Sequence, residues 1–80
     1  MSKKEKLILK LKNTRGVFTW NELLALLTSL GYESVEGSGS RVKFIKGELC
    51  VDLHRPHPGN ELKLYVKKLV LAHLIERGDI

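Results

Sequence analysis

The sequence predicts a small α+β domain: a helix, three antiparallel strands and a second helix, with room for a short extra helix in front. Three observations carry this. A capped amphipathic stretch fills residues 18–32. The apolar period then drops from about 3.6 to 2 between residues 33 and 53, with glycines marking the turns. Helical spacing returns from Leu62 onward. Two helices against one face of a small antiparallel sheet is the economical way to bury these stripes.

The chain opens on a basic segment, MSKKEKLILKLKN, in which Leu7, Ile8 and Leu11 suit one helical face and Leu7, Leu9 and Leu11 also fit a strand alternation. The helical reading is adopted, and residues 1–16 are taken as a basic N-terminal extension of a single domain, 1–80. Thr19-Trp20-Asn21-Glu22 has the form of a capping box, with Phe18 and Leu23 placed as a hydrophobic staple. Trp20, Leu23, Leu24, Leu27 and Leu30 form the inward stripe, and Trp20 is read as packing. Gly31 stands where a left-handed residue ends a helix, with Tyr32 folding back on the last turn.

Glu33–Glu36 reads as a short strand and Gly37-Ser38-Gly39-Ser40 as a turn. In residues 41–45, Val42 and Phe44 face inward, while Arg41 and Lys43 face out. Lys46-Gly47 supplies a hairpin turn, and Leu49, Val51 and Leu53 face the core of the third strand. Cys50 is expected to be a buried or half-buried, inert thiol. Asn60 or Gly59 should cap the last helix, with Leu62, Tyr65, Val66, Leu69, Val70 and Leu74 buried. Lys63, Lys67 and Lys68 take the wet side, and Arg77 with Gly78 closes the helix.

Eighty residues make one domain, and a hydrophobic share of 42% argues against disorder. The single cysteine excludes an intrachain disulfide and a multi-cysteine zinc site. With no long apolar run and no signal-like start, neither a membrane span nor a secretory leader is expected, and the cytoplasm is the expected location. The net charge of +5 suits a phosphate-bearing partner, RNA above all.

Chemistry is expected around Leu53–Lys63, which holds His54, Arg55, Pro56, His57 and Pro58. The prolines exclude a helix interior or a central strand, so the segment is a stiff loop before a helix. Antiparallel pairing brings Ser40 and Arg41 close to His54 and Arg55. Imidazole can take a proton from a ribose 2′-OH or return one to a leaving 5′-oxygen. His54 and His57 are therefore the candidate catalytic pair. Ser40, Arg41, Lys43, Arg55 and Lys63 are the candidate RNA and phosphate contacts. Two histidines without a carboxylate or thiol partner make an incomplete metal site, so no metal and no small-molecule cofactor is expected. His73 is read as structural or surface-exposed.

Trp20-Asn21-Glu22-Leu23-Leu24 through Leu30-Gly31-Tyr32, Gly39-Ser40-Arg41-Val42-Lys43-Phe44, His54-Arg55-Pro56-His57-Pro58 and Glu61-Leu62-Lys63 occur in an order that resembles the HicA toxins. More narrowly, they resemble the branch carrying Gly-Ser-Arg and His-Arg-Pro-His-Pro. The resemblance spans about residues 18–78. It implies a fold like the double-stranded-RNA-binding domain, ribosome-independent endonucleolytic cleavage of mRNA, and a HicB-type antitoxin that covers the active surface. In better-known members a catalytic histidine follows Gly-Ser. The matching position here is Arg41, or Ser40 if the turn shifts by one, so that role does not transfer. The alternative function is a non-catalytic RNA-binding or protein-interaction module on the same fold.

Overall fold

The computed structural model describes residues 2–13, 15–56 and 59–80. The elements are α1 (Lys3–Lys12), α2 (Trp20–Ser29), β1 (Glu33–Glu36), β2 (Arg41–Lys46), β3 (Leu49–His54) and α3 (Leu64–Glu76). This is the expected α+β order with the extra N-terminal helix present. The strands form one antiparallel sheet in the order β1-β2-β3. Val42, Phe44 and Leu53 supply its inner face and join the helices in a single core.

Local chemistry explains each boundary of α2. The Thr19 hydroxyl accepts from the Glu22 N–H at 3.2 Å, and the Glu22 carboxylate accepts from the Thr19 N–H at 3.0 Å. The next orphan donor, the Trp20 N–H, bonds the Asn60 carbonyl at 2.6 Å. Phe18, Trp20 and Leu23 are buried, as the staple and stripe require. Gly31 has φ +97°, and the Tyr32 N–H returns to the Leu27 carbonyl, closing a Schellman motif. The β2–β3 loop is two residues long, with φ positive at Gly47 only, the sign pattern of a type II′ turn.

α1 belongs to the core through Leu7 and Leu11, with Ile8 packed against it. Ser2 caps it by accepting from the Glu5 N–H, and Lys10 pairs with Glu22 of α2. Burial pushes the Glu22 carboxyl up, but bonds from Lys10 and Thr19 and the Lys10 charge outweigh this and hold it below its ordinary range.

α3 departs most from expectation. It begins at Leu64 with Lys63 in the cap position and no side-chain cap, so neither Asn60 nor Gly59 caps it. Its buried arc is Lys67, Val70 and Leu74, while Tyr65 and Leu69 are exposed and Leu62 is buried ahead of the helix. Lys67 does not take the wet side. Its ammonium donates to the carbonyls of Asn13 and Gly16, in the connection after α1, at 2.6 and 2.8 Å. Apolar side chains occur nearly all round α3, so spacing alone leaves the buried arc open. The carbonyls of Asn13 and Gly16 select the arc that contains a lysine. Two smaller corrections concern β3. Cys50 is exposed, because it lies on the sheet's outer face, and Leu49 at the strand's start is exposed too.

Candidate functional site

The outer face of the sheet is open to solvent. Strand alternation puts Val35 of β1, Arg41 and Lys43 of β2, and Cys50, Asp52 and His54 of β3 on this face, all exposed. The register sets Arg41 directly across from His54 and Lys43 across from Asp52. Opposed side chains in an antiparallel pair have Cβ atoms roughly 4.5–5.5 Å apart. Arg41 and His54 therefore issue from neighbouring positions at one end of the sheet.

The loop beyond β3 is fixed by backbone bonds at both ends. The Arg55 N–H donates to the Ser40 carbonyl at 2.7 Å, which locks Ser40 and Arg41 beside His54 and Arg55. Further on, the Leu62 N–H donates to the Phe18 carbonyl at 2.8 Å, and Thr19 and Glu61 form an isolated bridge. Glu61 and Lys63 thus issue from backbone pinned to the start of α2. Around the Gly37–Ser40 turn, the Gly37 N–H donates to the Arg41 carbonyl and the Arg41 N–H to the Ser38 carbonyl. His57 and Pro58 lie outside the described residues.

The expected single basic patch divides at β3. Arg41, Lys43 and His54 share the open sheet face. The Arg55 guanidinium instead lies over the Trp20 ring, 5.9 Å from its centre, and pairs with Glu36 at 2.6 Å. β3 is an edge strand, so His54 also borders a cleft between that edge and α3, whose lining includes Arg55, Glu61, Lys63, Tyr65 and Val66. His54 is the link between the two halves. Sequence reading missed four neighbours: Glu36, Asp52, Glu61 and Tyr65. Asp52 was available from strand alternation, two residues before His54. Tyr65 was assigned to the core stripe, and nothing local marks Glu36 as the partner of a residue nineteen positions away.

Arg41, Lys43 and Asp52 thus share the open face with His54, while Arg55, Glu61 and Lys63 line the cleft beside it. Among the described residues, no three His, Cys, Asp or Glu side chains group closely enough to hold a metal, and no helix is long and apolar enough to cross a membrane.

The family model described as the HicA toxin of bacterial toxin–antitoxin systems matches residues 20–74. The chain belongs to the HicA toxin family. The match runs from the first residue of α2 to the buried Leu74 of α3, so it takes in the whole sheet and every described candidate residue. Comparison with curated proteins and with solved structures returned no match. Family membership makes the chain a toxin of a toxin–antitoxin system, a class that acts with an antitoxin partner.

Proposed function

We propose that this HicA-family chain is a metal-independent endoribonuclease that cleaves mRNA in the cytoplasm and is neutralised by a HicB-type antitoxin seated over the same surface. The observation that supports it most is the pairing of His54 with Arg41 on an open sheet face. His54 takes the proton of a ribose 2′-OH, and the freed oxygen attacks the adjacent phosphorus. The bond to the 5′-oxygen breaks, leaving a 2′,3′-cyclic phosphate, and a second acid protonates the departing oxygen. His57 is assigned that role from its place three residues along the chain. Arg41 stabilises the charge that develops on the phosphorane oxygens. Ser40, Lys43, Arg55 and Lys63 hold the flanking backbone.

The second reading is a non-catalytic RNA-binding or protein-interaction module. It is favoured by an arginine at position 41, where HicA relatives are expected to carry their catalytic histidine. One experiment separates the readings. Labelled RNA is incubated with the protein, with His54→Ala and with His57→Ala, each with and without EDTA. The nuclease reading expects cleavage that survives EDTA and falls by about 10²–10⁴-fold when either imidazole is removed. Binding without cleavage selects the module, and loss in EDTA selects a metal-dependent reaction.

A further inference from the structure

Tyr65 is the most exposed large apolar side chain among the described residues, at 69%. It sits on the second residue of α3, a helix anchored from its other side by Lys67, Val70 and Leu74. The ring is therefore carried on rigid backbone while its own faces remain open. It lines the cleft of about 230 Å³ that His54, Arg55, Glu61 and Lys63 also line. It also lines a smaller adjoining depression with His54 and Leu69. The larger cleft falls below the roughly 300–1,000 Å³ of enclosed small-molecule sites, which suits one planar group entering from a longer chain.

We propose that this cleft is a nucleobase subsite for single-stranded RNA, in which one base stacks on Tyr65 next to the nucleotide held at His54. The inference rests on the ribonuclease reading and adds the residue that chooses the nucleotide. Each wall of the cleft has a counterpart in a nucleotide. Tyr65 offers a π-face, the surface on which unstacked bases settle in single-strand recognition. Lys63 supplies a cation for the attached phosphate, and Arg55 a second once it leaves Glu36. Glu61 supplies an acceptor for N–H donors on the base edge, so guanine, whose adjacent N1–H and N2–H can both reach one carboxylate, is preferred. A paired duplex cannot offer a base here, because its faces are already stacked. Pro56, Leu62 and Val66 complete the lining, but its charged groups fit a nucleotide better than an apolar peptide segment, which would leave Glu61 and Lys63 facing nothing.

The test uses the full chain and short single-stranded oligoribonucleotides that differ by one abasic site. Tyr65→Ala is expected to weaken binding and kcat/KM by about tenfold, within the range found for stacked bases. Tyr65→Phe should retain both, and Tyr65→Leu should not rescue them. The loss on Tyr65→Ala should vanish on the oligonucleotide whose abasic site falls at the stacked position. Glu61→Gln should flatten the preference among bases. Circular dichroism of Tyr65→Ala should match that of the parent. If the parent cuts RNA and Tyr65→Ala cuts every substrate equally well, the subsite is wrong and the nuclease reading stands. If the parent neither binds nor cuts RNA, both fail together. If Tyr65→Ala leaves RNA untouched but weakens capture of the antitoxin, the ring belongs to a protein interface and the subsite is wrong.

Discussion

The ammonium of Lys67 donates to the main-chain carbonyl of Asn13 at 2.6 Å from a residue only 3% exposed. Its second bond, to the Gly16 carbonyl, lets one side chain hold the α1–α2 connection against α3. Lys67→Met keeps the unbranched stem and removes the donor, leaving the Gly16 carbonyl without its partner and Asn13 with only the longer bond from the Gly16 N–H. A loss of about 1–3 kcal/mol is expected, read as a lower urea midpoint at unchanged slope. An unshifted midpoint would mean that water serves those carbonyls equally well.

Lys67 also marks where sequence patterning stops being informative. α2 was legible because both halves of its capping box and its closing glycine lie within one short stretch, so local chemistry decides them. α3 has apolar residues on nearly every side, and its rotation is set by carbonyls some fifty positions upstream. The same division runs through the candidate site. The meeting of Arg41 with His54 follows from strand alternation and a two-residue hairpin, both readable in order along the chain. The diversion of Arg55 toward Glu36 and Trp20 depends on how the end of β1 lies against the start of α2, and no local spacing encodes that.

Arg41→Ala should weaken RNA binding by about 1–3 kcal/mol if the guanidinium makes a charge-assisted phosphate contact. Because one phosphate contact is lost, the slope of log affinity against log salt should fall by roughly one unit. Fluorescence anisotropy at several salt concentrations gives both numbers. An unchanged affinity with an unchanged slope would return Arg41 to a passive place on the sheet.

Glu36 competes with RNA for Arg55. The pair is solvent-exposed on both sides, so its contribution to stability is about 0–1 kcal/mol. Glu36→Gln should therefore leave the melting temperature nearly unchanged while tightening RNA binding, since the guanidinium no longer has to leave a carboxylate. The gain should be largest at low salt, where surface charges are least screened. A weaker complex in Glu36→Gln would show that the carboxylate positions Arg55 for RNA rather than withholding it.

Asp79 ties the end of the chain to the sheet and gives the fold an acid limit. Its carboxylate accepts from the Tyr32 hydroxyl at 2.8 Å and from the Lys46 ammonium at 2.5 Å. Burial pushes its pKa up, but these bonds and the charges of Lys46 and Arg77 outweigh it and hold the carboxyl below the usual range. The folded state thus keeps Asp79 ionised where the unfolded chain already binds a proton. Its contribution is complete above the ordinary carboxylate value, about 4, and is lost as pH falls through the lowered folded value. Glu22 acts in the same direction. Thermal unfolding of the parent and of Asp79→Asn between pH 7 and pH 3 should give curves that differ at neutral pH and converge in acid. Parallel curves across that range would mean that Asp79 titrates alike in the folded and unfolded chains, and the tie would then contribute no acid sensitivity.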